Sequence, residues 1–160
     1  MTREGILETL KKATAEYPDY EMVVVGHSLG AAIATVAGAE IRSRGYAATL
    51  YVYGSPRVVN RELAEFISNQ GNNYRFTHTK DPAPMLPPLI LGYVHISPEY
   101  YITSGNNVTV TPADIEVLEG YVNFGGNTGH PLLWDKYTDH LWYFQMAIAC
   151  KGPGLPIKKL

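Results

Sequence analysis

A serine stands between two glycines in Gly26-His27-Ser28-Leu29-Gly30, directly after the strand-forming run Met22-Val23-Val24-Val25. This is G-x-S-x-G, the arrangement in which a strand turns so sharply into a helix that the serine is held in a strained backbone conformation at the tip. Both glycines are expected to be needed because a Cβ at either position would collide inside the turn. A serine hydroxyl is a poor nucleophile until a base takes its proton. The base in turn needs a carboxylate to fix its tautomer and to stabilise the imidazolium that forms. A histidine and an acid are therefore expected downstream, in the order serine, acid, histidine.

Asp81 follows the strand pattern Tyr74-Arg75-Phe76-Thr77-His78 and should emerge at the same carboxyl edge of a sheet as Ser28, which makes it the preferred acid. Asp114, in Thr111-Pro112-Ala113-Asp114, reads as the first turn of a helix and needs only the helix dipole to explain it. Asp135 and Asp139 come too late to lie on a strand of the sheet. Among the histidines, His27 sits inside the turn and reads as a packed or hydrogen-bonding neighbour. His78 is geometrically redundant beside Asp81, and His95 and His130 lie in irregular stretches. His140 opens the last apolar element after a long loop, so its ring can overhang the sheet edge and close the order Ser28, Asp81, His140.

The elements that must position these groups are legible in part. Helical spacing of Ile6, Leu7, Leu10, Ala13 and Tyr17 predicts a surface helix over 3–16, ended by Pro18-Asp19. The unbroken Met22–Val25 run reads as a strand buried on both faces of a parallel sheet. A helix over 29–43 follows, with Arg42 and Arg44 at its negative end and Gly45 as a left-handed cap. A strand over 48–53, a helix capped by Asn60 and running through Gln70, and a strand over 74–78 complete an alternation typical of right-handed crossovers in an open parallel sheet. Beyond Asp81 the chain turns Pro-rich. Short strands are expected at 100–103 and 107–111, a helix at 112–119, and a final helix over the apolar run from His140 to Cys150. Residues 151–160 read as a loose, flexible tail after a folded part spanning 1–150.

Bulk composition excludes several classes. With 160 residues, 46% of them hydrophobic and a net charge of −2 with no basic block, the chain can bury a core and does not suit nucleic acid. No apolar run approaches the roughly 20 residues that cross a bilayer, and the amphipathic, charged N-terminus is not a signal peptide. Asn107-Val108-Thr109 is a glycosylation sequon, with Asn107 as its acceptor. Cys150 is the one cysteine, either buried alone or bonded to a partner outside this sequence. No His/Cys/Asp grouping has metal-ligand spacing, and no cofactor is implied.

Beyond the turn itself, the segments YPDYEMVVVGHSLGAAIATVAGAEIR, YGSPRVVNRELAEFI, YRFTHTKDPAPMLPP, GYVHISPEYYI and DHLWYF, followed by a cysteine, resemble the successive blocks of the fungal class 3 lipases related to the Thermomyces and Rhizomucor triacylglycerol lipases. The resemblance covers nearly all of residues 14–150. It implies an α/β-hydrolase fold with flanking helices, present here as the C-terminal half and so N-terminally truncated. By matching position it implies Ser28, Asp81 and His140 as the triad. The absent half would carry earlier strands, a mobile lid and one arm of the oxyanion hole, leaving the Leu29 N–H as the donor here. It further implies an acyl-pocket wall over Met85, Leu86, Leu89 and Ile90, secretion, and a disulfide from Cys150 to an N-terminal cysteine. Ala31 departs from the second glycine usual in relatives and touches helix packing rather than chemistry.

The expected function is lipase-type hydrolysis of acylglycerol esters at a lipid–water interface, as part of lipid catabolism. A feruloyl esterase is the nearest enzymatic alternative, against which Trp142 leans. A non-catalytic module with an exposed sheet edge is the alternative from another class, and that edge would pair with the absent half or with a second copy.

Overall fold

Four parallel strands and one antiparallel strand form the sheet that carries the chain's chemistry. The computed structural model describes residues 2–132, 136–144 and 146–147. In chain order these form α1 (Thr2–Glu16), β1 (Met22–His27), α2 (Leu29–Ser43), β2 (Ala48–Tyr53), α3 (Arg61–Asn69), β3 (Asn73–His78), β4 (Glu99–Ile102), β5 (Ile115–Leu118), α4 (Tyr137–His140), β6 (Trp142–Tyr143) and β7 (Met146–Ala147). The sheet order is β1-β2-β3-β4-β5, with Val25 beside Tyr51, Tyr53 beside Phe76 and His78 beside Ile102. β5 runs against β4, and β6 pairs with β7 as a separate hairpin.

Each face of the sheet has its own core. On one face, Leu50 and Val52 of β2 pack with Ala31, Ala34 and Ala39 of α2, with Ala64 and Ile67 of α3, and with Val59 and Ile96. The small residues of α2 let its backbone approach the sheet closely. The other face is aromatic. Tyr51 stacks on Tyr74 at 4.7 Å and Tyr53 on Phe76 at 5.2 Å between ring centres, the cross-strand pairing that stabilises neighbouring strands. Tyr143 from β6 closes over this cluster with Phe76 and Ile102.

Local signals fixed several boundaries as expected. Asn60 caps α3 by accepting from the Leu63 N–H at 3.0 Å, and Gly45, with φ +88°, ends α2. The Arg42 guanidinium ties the end of α2 to the starts of β2 and β3 by donating to the Ala48 carbonyl at 2.8 Å and to Asn73 Oδ1 at 2.8 Å.

Four expectations are corrected. β1 is not buried on both faces: among the described residues it is the edge strand, alternate residues face outward, and Val25 is 61% exposed. The 112–119 segment is a single 3-10 turn, Pro112–Asp114, followed by β5, whose Ile115 and Val117 suit pairing with β4 better than a helix. No strand forms at 107–111, where Asn107 adopts φ +63°. The final helix ends at His140. The aromatic residues beyond it turn into the β6–β7 hairpin because Tyr143 is drawn into the aromatic core. Residues 148–160, including Cys150 and the tail, lie outside the described residues.

Candidate active site

Ser28 sits between β1 and α2 with φ 56° and ψ −129°, a conformation that costs a non-glycine residue on the order of 1–3 kcal/mol. Its N–H donates to the Tyr53 carbonyl at 3.0 Å, and its own carbonyl accepts from the Ala31 N–H at 2.9 Å, so both sides of the turn are held. A Cβ on Gly26 would lie 2.3 Å from the Gly30 carbonyl oxygen, which explains the first glycine. Gly30 has no atom within 4 Å of such a Cβ, so the collision expected there is absent among the described residues. Ser28 occupies the N-cap position of α2, yet its hydroxyl makes no capping bond. Instead Oγ lies 2.8 Å from His140 Nε2.

His140 Nδ1 lies 2.9 Å from each oxygen of Asp81. A carboxylate only accepts, so Nδ1 carries the proton and the Nε2 lone pair faces the serine. Asp81 is fully buried three residues past β3, where the Ala83 N–H donates to Oδ1 at 2.8 Å and the Tyr143 hydroxyl donates to Oδ2 at 2.7 Å. Burial, and then the neighbouring Asp81 charge, hold the Tyr143 hydroxyl well above the ordinary tyrosine range, so it remains a donor. The Leu29 N–H opens α2, at the positive end of a helix whose first amides lack internal acceptors. The three residues singled out in sequence therefore converge, with Leu29 adjoining them.

The other candidates are elsewhere. Asp114 caps its own turn by accepting from the Thr111 N–H at 2.7 Å. His95 is buried with Nε2 2.8 Å from the Pro84 carbonyl, and His130 Nε2 lies 2.7 Å from the Tyr101 hydroxyl. Of the apolar segment, Met85 is buried, Leu86 and Leu89 are half-buried, and Ile90 projects at 92% exposure. Asn107 is exposed on its loop. Among the described residues no group of three or more His, Cys, Asp or Glu could hold a metal ion, and no helix is long and apolar enough to cross a membrane.

Several supporting residues had no clear signal in sequence. Gly54, with φ +56°, passes so close that a Cβ would lie 2.9 Å from Asp81 Oδ2 and 3.0 Å from His140 Nδ1. A glycine ending a strand before Ser-Pro was its one clue. Asn127 donates to the Asp81 carbonyl at 2.9 Å, while its N–H donates to Glu99 Oε1 at 3.3 Å. Asp139, set aside as too late in the chain, accepts from Thr79 Oγ1 at 2.6 Å, the Lys80 N–H at 3.2 Å and Asn106 at 2.6 Å.

A mostly parallel sheet with a serine on the strand–helix elbow, and a carboxylate and histidine gathered against it in the order Ser28, Asp81, His140, defines an α/β-hydrolase. The sequence profile of Lipase (class 3) matches residues 1–91, and the chain belongs to the class 3 lipase family. Secreted mono- and diacylglycerol lipase A of Penicillium cyclopium is 56% identical over 163 residues, covering 100% of this chain and 53% of that protein. Secreted mono- and diacylglycerol lipase 1 of Fusarium solani is 41% identical over 160 residues, covering 97% and 46%. The crystal structure of the mono- and diacylglycerol lipase from Aspergillus oryzae superimposes with a TM-score of 0.88 at 57% identity, over 91% of this chain and 55% of that one. The chain spans about half the length of the curated relatives it matches.

Proposed function

We propose that this chain carries the hydrolytic centre of a lipase that cleaves carboxylic esters of acylglycerols. The observation that carries the reading is the continuous line from Ser28 Oγ to His140 Nε2 at 2.8 Å and from His140 Nδ1 to Asp81 at 2.9 Å. Ser28 Oγ attacks the ester carbonyl carbon while His140 Nε2 takes its proton, and Asp81 stabilises the resulting imidazolium. The Leu29 N–H donates to the oxyanion of the tetrahedral intermediate. His140 then returns the proton to the departing alcohol oxygen as the ester C–O bond breaks, leaving an acyl-serine. A water deprotonated by His140 releases the acid and restores Ser28.

The names of the relatives support mono- and diacylglycerols as substrates and secretion as the location. The apolar stretch with Met85 at its base and Leu86, Leu89 and Ile90 beyond it is assigned to acyl-chain contact at a lipid–water interface. Asn107 is assigned as a glycan acceptor and the β1 edge as a pairing surface. A fluorophosphonate probe should label Ser28 and block hydrolysis of a mono- or diacylglycerol, and Ser28→Ala should lose both properties. Labelling of another serine in Ser28→Ala, or faster turnover of methyl ferulate than of acylglycerol, would overturn the assignment.

A further inference from the structure

α4, which ends on His140, cannot hold itself in place. It has four residues, and the chain beyond it turns within four more, at Phe144 with φ +46°. A helix of one turn has little stability of its own, so the position of the His140 backbone must be imposed from outside.

The Asp139 carboxylate, held by Thr79, the Lys80 N–H and Asn106, supplies part of that support, and two histidines grip the main chain itself. His27 Nε2 lies 2.9 Å from the His140 carbonyl oxygen, and His78 Nδ1 lies 3.0 Å from the Asp139 carbonyl oxygen. Consecutive carbonyls of the segment that bears the base are thus gripped by two imidazoles. His27 ends β1 and directly precedes Ser28. His78 ends β3, three residues before Asp81. The strand that delivers the nucleophile and the strand that delivers the acid each hold the base by its main chain, independently of the side-chain line between them.

The rings carry further constraints. His27 lies against His140 with ring centres 4.5 Å apart at 35°, and Tyr143 meets His27 edge-on at 5.8 Å. The other nitrogen of His78 lies 2.8 Å from the Ser104 carbonyl oxygen, so a ring that bonds both carbonyls at once carries a proton on each nitrogen, and a ring with one proton donates to one of them. Burial holds His27 below the ordinary imidazole range. Its bond to the His140 carbonyl and the Asp81 charge pull the other way, and the His140 charge adds to the lowering. A neutral His27 has one ring proton, and that proton is committed to the His140 carbonyl.

We propose that His27 and His78 are positioning residues that set His140 at hydrogen-bonding distance from Ser28 and Asp81, a role that rests on the hydrolytic reading of the site. Losing either grip lets the imidazole drift, and a displacement of about 1 Å is enough to cost on the order of 100-fold in turnover.

The test uses the intact protein with His27→Phe and His78→Phe, which keep a flat ring and remove the donor, and with His27→Gln and His78→Asn, whose amide nitrogens replace Nε2 and Nδ1 respectively. Three quantities are read: kcat and KM on a soluble acyl ester, thermal unfolding, and the downfield proton resonance of the His140 Nδ1–H bound to Asp81, observed without substrate. The phenylalanine variants should lower kcat about 10- to 100-fold with KM little changed and should shift or broaden the downfield resonance. The amide variants should recover much of both. Folded phenylalanine variants with unaltered kcat and resonance, differing from wild type only in unfolding temperature, would overturn the proposal. If those variants do not fold, a folded amide variant that loses the resonance overturns it, and one that keeps it supports it. Absence of ester hydrolysis in the wild type would refute the hydrolytic reading and leave the resonance to decide the positioning role.

Discussion

At the scale of single residues, the geometry around Asp81 sets the proposed acid apart from the other aspartates. Its oxygens accept from His140, Tyr143 and the Ala83 N–H, whereas Asp114 serves only its own turn. Asp81→Asn keeps the shape but can place the wrong proton against His140, so kcat should fall on the order of 10,000-fold with little change in KM. Steady-state kinetics on a soluble ester checks this, and a comparable loss for Asp114→Asn with none for Asp81→Asn would reverse the choice. Gly54 offers a second test, because an added Cβ would enter the space between Asp81 Oδ2, the Tyr143 hydroxyl and His140 Nδ1. Gly54→Ala should reduce kcat at least about 100-fold. Gly45→Ala meets nothing within 4 Å and, from its own positive φ, should cost about 1–2 kcal/mol of stability without touching turnover.

At the scale of elements, β3 and β4 are joined through a buried charge pair, Arg75 Nη2 to Glu99 Oε2 at 3.3 Å. Thr77 donates to Glu99 Oε1 at 2.6 Å and Asn123 to Oε2 at 3.0 Å. Burial alone would push the Glu99 carboxyl up. Arg75 and the hydrogen bonds from Thr77, Asn123 and the Asn127 N–H outweigh it and leave the group below its ordinary range. A carboxyl whose pKa is depressed by folding contributes stability that is present above the unfolded value of about 4.3 and disappears as pH falls through the folded value. Asp139 is depressed in the same direction, its burial outweighed by bonds from Thr79, Asn106 and the Lys80 N–H. Urea unfolding should therefore show stability falling as pH drops below about 4.3. Glu99→Gln should flatten that dependence, and Arg75→Met, which strands a buried carboxylate, should cost about 3–5 kcal/mol at neutral pH. Because Asn127 links Glu99 to the Asp81 carbonyl, losing the pair should also loosen the loop that carries the acid.

At the scale of the molecule, exposed apolar side chains flank β1, the edge strand among the described residues, on both faces of the sheet. Val23 and Val25 of β1 are exposed on the face that carries Tyr51, opposite α2. Leu29, Ile33 and Val36 face outward from α2, beside a groove of about 470 Å³ shared with Ile6 of α1. A free strand edge flanked by apolar side chains is a template for pairing with another chain. The chain by itself should sediment as more than a monomer, and Val23→Lys, which places a charge on that edge, should raise the monomer fraction. A monodisperse wild-type monomer, unchanged by Val23→Lys, would show that the edge is protected in some other way.

What the sequence determined alone was everything governed by neighbours in the chain. G-x-S-x-G announced the elbow because the near-contact between Gly26 and the Gly30 carbonyl is local, and Asn60 announced α3 because its capping bond spans three residues. The order Ser28, Asp81, His140 could be read from the alternation of strands and helices. Tertiary structure decided the rest. Ile115–Leu118 became a strand because β4 offered a ladder, and the aromatic stretch after His140 became a hairpin because Tyr143 found a buried place against Phe76 and Asp81. The grips of His27 and His78 join residues 113 and 61 positions apart, and Gly54 is needed only because a carboxylate and an imidazole from distant segments meet above it. Periodicity and turn chemistry record the contacts a residue makes with its near neighbours, whereas the supports of this site are contacts that exist only once the strands have been set side by side.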